Sequence, residues 1–285
     1  MRIALSVFKP MASIRRELAK YGLVPKKGWG QHYLIDRNIL NKVIRTAQVG
    51  RDDVVLEVGP GLGEVTLALA QQVKRVIAIE IDPKLVEILR RKLEGYSNVE
   101  VTKGDILEVN LNQLLEKEGQ PIKVVANLPY QISTPLLFRF LESKRVISTL
   151  TLMLQREVAE RMVALPGGKE YGPLSIFVQS VSNLSIRFFI KPSAFFPPPK
   201  VESAVVYMAW KEAPMVEMSD EEWFKRVVKA CFGYRRKTLV NALKHSGLTL
   251  PESIELKLEA IGIDPQRRPE TLTIQEFINL ANTLK

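Results

Sequence analysis

The sequence predicts an α/β chain: a doubly wound, mainly parallel sheet followed by a small all-helical C-terminal domain. Three observations carry this. Between Asp53 and Gln155 short apolar runs alternate with segments of helical spacing, at the roughly thirty-residue repeat of β-α units that build parallel sheets. The first run ends in alternating glycines, Gly59, Gly61 and Gly63. After about Glu212 the strand pattern stops and only helical periodicity is left.

Taken in order, DVVLEVGP (Asp53–Pro60) is an apolar run closed by glycine, a buried strand, and EVTLALAQQV (Glu64–Val73) has helical spacing. RVIAIEID (Arg75–Asp82) is the next strand. PKLVEILRRKLEG opens with Pro83 at a first helical position and ends at Gly95. VEVTKGD (Val99–Asp105) is a third strand, followed by a helix around Leu111–Glu118. IKVVANLPY is the fourth strand, closed by a proline that cannot donate to a ladder. TPLLFRFLES opens a helix with Pro135 just inside it, and TLTLMLQREVAERMVA begins as a strand and turns helical near Gln155. LSIRFFIKP and ESAVVYMAW are later strands. DEEWFKRVVKACFGYRRKTLVNALKHSG, SIELKLEAIG and TIQEFINLANTL are helical. The expected division is residues 1–211 and 212–285.

Composition narrows the classes. At 285 residues, 46% hydrophobic and 25% charged, the chain suits a soluble globular protein. No apolar run approaches the roughly 18 residues of a membrane span. The start, MRIALSVFKPM, lacks a signal-peptide core and cleavage site, and Met11 is an alternative start. One cysteine, Cys231, excludes an internal disulfide and suits a reducing compartment. With only His32 and His245 besides, no metal site is expected. The net charge of +10 is uneven: +8 over 1–50, −4 over 51–120, +5 over 121–210 and +1 over 211–285. Trp223 to Gly247 holds seven basic residues and no acid. Concentrated basic flanks around an acidic centre favour a polyanion partner held through phosphates. For the aromatics of that stretch, Trp223, Phe224, Phe232 and Tyr234, a core role is the default.

Four strand ends carry candidate chemistry. The glycines of EVGPGLG let a ligand approach the backbone, without the G-x-G-x-x-G spacing of a dinucleotide site. Glu80, ending the next strand, can accept from both hydroxyls of a ribose. With the glycines it indicates an adenosine-containing cofactor, either a nicotinamide dinucleotide or S-adenosylmethionine. Asp105 can accept from an adenine amino group with Ile106 beside the ring, or cap a helix. The fourth end presents Asn127-Leu128-Pro129-Tyr130. An exocyclic base amine is a poor nucleophile because its lone pair is delocalised. The Asn127 side-chain oxygen and the Leu128 carbonyl can accept its N–H groups and aim the lone pair, Pro129 fixes the turn, and Tyr130 can stack on a base taken out of its helix.

On these segments, with GWGQHYLID (Gly28–Asp36), MLQREVAERM, YGPLSIFVQ, PSAFFPPPKVESAVV and FGYRRKTLVNAL, the chain resembles the ribosomal RNA adenine N6-dimethyltransferase family over nearly its whole length. The resemblance implies a Rossmann-like catalytic domain that uses S-adenosylmethionine to dimethylate two adjacent adenines in the 3′-terminal hairpin loop of small-subunit (16S) rRNA during ribosome biogenesis. It places His32 and Leu34 over the cofactor, with Gly59, Gly61, Glu80, Asp105, Ile106 and Asn127 as further contacts. It sets Phe195 opposite Tyr130 on the flipped adenine. Arg235, Arg236 and Lys237 become RNA contacts in the C-terminal domain, and the partner a precursor small subunit. A cytoplasmic monomer without membrane or metal completes the expectation. Where the family more often has phenylalanine, this chain has Tyr33. Alternatives are the resistance-type enzyme acting on a large-subunit adenine and an assembly factor without essential catalysis. A nicotinamide dehydrogenase fails on glycine spacing.

Overall fold

The computed structural model describes residues 11–212, 221–234 and 236–285. In chain order the elements are α1 (Met11–Lys20), β1 (Tyr33–Leu34), α2 (Arg37–Ala47), β2 (Val54–Val58), α3 (Glu64–Ala70), β3 (Arg75–Glu80), α4 (Pro83–Lys92), β4 (Val99–Lys103), α5 (Leu111–Leu115), β5 (Ile122–Asn127), α6 (Ser133–Glu142), β6 (Ile147–Gln155), α7 (Arg156–Val163), α8 (Pro173–Val181), β7 (Ser182–Ile190), β8 (Phe195–Phe196), β9 (Ser203–Trp210), α9 (Glu221–Gly233), α10 (Leu239–Lys244), α11 (Ile254–Ala260) and α12 (Ile274–Thr283).

Seven strands form one sheet in the order β4-β3-β2-β5-β6-β9-β7. β2 to β6 are parallel to their neighbours, and β9 lies antiparallel on β6. All five residues of β2 are buried. That is why it reads as a continuous apolar run: a central parallel strand is covered on both faces. The edge strand β4 has no fully buried residue. Helices carry the expected stripe: α2 buries Leu40, Val43, Ile44 and Ala47, one face at helical spacing. Its first turn is capped by Asp36, which accepts from the N–H groups of Asn38 and Ile39 at 2.8 and 3.1 Å. Asp82 caps α4 at the Lys84 N–H, 3.0 Å, with Pro83 at the first helical position.

The chain forms two compact units. One runs to Ala159 and includes Ser185–Ala209; the other comprises Glu160–Leu184 and Trp210–Lys285. The second unit starts its C-terminal part beside the expected boundary at 211. It also takes in α8, a helix that periodicity did not single out because its residues are buried nearly all round. Its core pairs Phe177 with Phe224 and Phe232 with Phe277, ring centroids 6.1 and 5.8 Å apart. The long basic run is two helices, α9 and α10, broken after Gly233. Cys231 is fully buried, and burial pushes its thiol up to about 12. Among the described residues no helix is long and apolar enough to cross a membrane.

Candidate active site

The pairing register brings the strand ends to one level. Val58 pairs with Ile79 on one side and Ala126 on the other, so Gly59, Glu80 and Asn127 leave the sheet together. Lys103 pairs with Glu80, and Gly104-Asp105 follow. From β2 the sheet grows one way through β3 and β4 and the other way through β5 and β6. The crevice beyond the carboxyl ends at such a reversal is where open α/β sheets hold ligands. Here it is a cleft of about 1040 Å³, open to solvent, lined by the glycine loop, Glu80, Asp105, Ile106, the Asn127–Tyr130 turn and the strap Trp29–Leu34.

Gly59 and Gly61 have φ of 65° and 59°, a conformation costly for residues with a Cβ. A Cβ on Gly61 would lie 3.1 Å from the Tyr33 ring, while one on Gly59 would meet nothing within 4 Å. The space above Gly59 is open for a ligand. Glu80, 4% exposed, accepts from the Gly61 N–H (3.1 Å) and the Asp82 N–H (2.9 Å). Burial raises its pKa and the two backbone donors counter that, so the carboxylate is oriented with lone pairs left for hydroxyl donors. Asp105 caps no helix, since the N-cap of α5 is Asn110; its Oδ1 closes a turn by accepting from the Leu107 N–H at 2.8 Å, and it lines the cleft as well. Arg139 of α6 ties this turn by donating to the Ile106 carbonyl at 3.0 Å.

The Asn127 turn is positioned from behind. The Asn127 Nδ2 donates to the His32 carbonyl at 2.9 Å. A carbonyl only accepts, so the amide nitrogen must face it and Oδ1 is presented as the acceptor. The carbonyls of Pro129 and Tyr130 are engaged by the Ile132 N–H and the Ser133 hydroxyl, and among the described residues no backbone N–H donates to the Leu128 carbonyl. Two acceptors, Asn127 Oδ1 and Leu128 O, are therefore available on consecutive residues. The Tyr130 hydroxyl sits 2.8 Å from Ser203 Oγ, at the start of β9. Burial raises the phenol's pKa, so it is protonated at neutral pH. The His32 ring lies 5.5 Å from that of Tyr130, and its Nδ1 donates to the Pro197 carbonyl at 2.6 Å.

Two features differ from expectation. Phe195 does not line the cleft: it is 2% exposed and packs in a core cluster with Leu34, Leu40 and Val43. In the β1–β8 pair Phe195 lies opposite Leu34, and strand alternation turns only the next residue, Phe196, the other way. From this segment the Pro197 carbonyl and the Ser203 hydroxyl reach the site instead. Glu57 was not singled out. It is 2% exposed, lines the cleft, and its Oε2 has no hydrogen-bond partner. Burial pushes its pKa up to about 8; the Thr66 hydroxyl beside it lowers it somewhat, and Glu80 raises it further. An acid inside an apolar strand was the signal for it. Arg236 and Lys237 are exposed in the second unit, and Arg235 lies outside the described residues.

The strap is latched to the strand ends. Lys26 bridges to Asp82 at 2.8 Å and lies 3.9 Å over the Trp29 ring. Burial raises the Asp82 pKa, but Lys26 and the Lys84 N–H outweigh it and hold it low. The Tyr33 hydroxyl donates to Gln31 Oε1 at 3.3 Å, so the departure from phenylalanine adds a strap contact.

A reversal-point cleft with a glycine loop, a buried acid at the second strand end and a turn presenting two acceptors beside an aromatic ring is the architecture of a Rossmann-like methyltransferase. The ribosomal RNA adenine dimethylase family model matches residues 24–285. The chain is 46% identical over 261 residues to a ribosomal RNA small subunit methyltransferase A of Caldanaerobacter subterraneus subsp. tengcongensis, covering 91% of this chain and 97% of that protein. A dimethyladenosine transferase from Plasmodium falciparum superposes with a TM-score of 0.76 at 29% identity, over 87% of this chain and 96% of that one. The 23S rRNA methyltransferase ErmE does so with 0.68 at 26%, over 88% and 99%. The chain belongs to the ribosomal RNA adenine dimethylase family.

Proposed function

We propose that this enzyme transfers methyl groups from S-adenosylmethionine to N6 of two adjacent adenines in the 3′-terminal hairpin of small-subunit rRNA, two to each. The observation that carries the chemistry is the Asn127 amide pinned by the His32 carbonyl, which holds Oδ1 and the Leu128 carbonyl as paired acceptors beside Tyr130. The substrate assignment rests on the 46% identity to a small-subunit enzyme against 26% to a large-subunit one.

The cleft fits the cofactor. The unpartnered Oε2 of Glu57 is a place for an ammonium, the open space over Gly59 admits a ligand against the backbone, and Glu80 is oriented for ribose hydroxyls. Asp105 and Ile106 would hold the adenine edge and face, and His32 and Leu34 the outer side. S-adenosylmethionine supplies a methyl group already activated on a sulfonium, so orientation is the main task left to the protein. Asn127 and Leu128 take the N–H groups of the target amine and free its lone pair. Tyr130 stacks on the base and its face stabilises the cation as nitrogen gains a bond. That nitrogen becomes acidic as it does so, and no dedicated base is required. His32 offers none from Nδ1, whose proton is donated to Pro197.

Purified protein, labelled S-adenosylmethionine and unmethylated small subunits, with large subunits as control, test this by nucleoside analysis. Dimethyladenosine in the small subunit alone is expected. Label only in the large subunit selects the resistance-type reaction, and tight binding without label selects an assembly factor. The same reading makes the protein cytoplasmic.

A further inference from the structure

The basic stretch Trp223–Gly247 holds four aromatic residues, and the structure commits three of them. Phe224 is buried against Phe177, Phe232 packs between Tyr171 and Phe277, and the Trp223 indole donates to the Ala281 carbonyl at 2.9 Å. Tyr234 is different. It is 40% exposed, and its ring lies 5.6 Å from that of His245 at an interplanar angle of 54°.

The neighbouring groups are ordered. His245 Nδ1 lies 2.7 Å from the Asn241 carbonyl, which only accepts, so that nitrogen carries the proton. The Lys237 ammonium, which only donates, lies 3.3 Å from Nε2, so that nitrogen is the acceptor. The Lys237 N–H donates to the Tyr234 carbonyl at 2.8 Å, closing the turn that holds ring and ammonium together. The result is an exposed aromatic face, a second ring and a cation within one turn and one helix end. A duplex offers such a surface phosphates only. An unpaired nucleotide offers a base face for the ring and a phosphate for the ammonium, the pairing by which proteins bind single-stranded RNA.

We propose that Tyr234, with His245 and Lys237, is a stacking platform for an unpaired nucleotide of the ribosomal RNA substrate. This rests on the rRNA reading above and assigns the second unit a grip on RNA conformation in addition to charge.

The test measures binding of the full chain to unmethylated small subunits and to their protein-free rRNA across a salt series. Tyr234→Ala and Tyr234→Leu should each weaken binding to both by roughly 5- to 100-fold, the range that base–aromatic stacking gives, with the salt slope unchanged. Tyr234→Phe should bind as the parent does. Lys237→Gln should reduce the slope by about one. The leucine variant keeps apolar packing at the site, so undiminished affinity there overturns the proposal even if the alanine variant unfolds. Loss confined to assembled subunits also overturns it, because the partner would then be a ribosomal protein. If the parent chain neither binds nor methylates small subunits, the functional reading fails; if it does both and Tyr234→Leu binds normally, only the platform fails.

Discussion

Replacing Glu57 by glutamine should stabilise the cofactor-free protein and weaken cofactor binding together. The side chain is 2% exposed and one of its oxygens has no partner. Its carboxyl is displaced from the ordinary 4.5 to about 8, chiefly by burial. The native state therefore binds a proton that the unfolded chain releases between those values. The stability this contributes is full below about pH 4.5 and is lost as pH rises through 8. At ~1.4 kcal/mol per pH unit, the upper bound on the loss is roughly 5 kcal/mol. Water entering the open cleft reduces it. Glutamine has the same shape without the ionisation, so thermal unfolding of the parent should fall more steeply with pH from 5 to 8 than that of the variant. At pH 8 the variant should melt higher. Opposite an ammonium the order reverses. A charged hydrogen bond contributes about 1.5–3 kcal/mol, so calorimetry should find S-adenosylmethionine bound roughly 10- to 100-fold more weakly by the variant. Proton release on binding, read from buffers of different ionisation enthalpy, should shrink. Parallel pH profiles with equal affinities would refute the placement of Glu57 against the ammonium.

Asn127→Ala should abolish methyl transfer while S-adenosylmethionine still binds; full turnover would remove the acceptor role. Glu80→Ala should weaken cofactor binding at least tenfold, since it deletes the acceptor held by the Gly61 and Asp82 N–H groups, and an unchanged dissociation constant would exclude the ribose contact. Tyr130→Phe and Ser203→Ala each cut the same 2.8 Å hydrogen bond. Each should cost about 0.5–1.5 kcal/mol of stability or a comparable factor in kcat/KM. The double variant should lose little more than one single variant; additive losses would show that the pair does not act as a unit.

The parts of the candidate site were legible because they lie at strand ends, where glycine, proline and acid residues interrupt apolar runs. Gly59, Glu80 and Asn127 were each visible that way. Their common level was not, since it depends on Val58 pairing with both Ile79 and Ala126. The helices α1, α2 and α8 and the β1–β8 pair went unread for separate reasons. α8 is buried nearly all round, and a two-residue pair has no periodicity to show. Glu57 showed one signal, an acid inside the apolar run VVLEV, but its burial and its unpartnered oxygen are tertiary facts.

By itself, then, the sequence determined the order of β-α units, the four strand-end motifs, the basic stretch and the family. Local chemistry sets these: periodicity, turn residues and charge are properties of neighbouring positions. Tertiary structure alone decided which atoms face which. It turned the Asn127 amide by offering it the His32 carbonyl from 95 positions away. It withdrew Phe195 into the core, brought Ser203 to Tyr130, and left Tyr234 on the surface while Phe224 was buried and Phe232 packed between Tyr171 and Phe277. Each of these depends on a group distant in the chain filling a bond or a space, and spacing along one sequence holds no record of that.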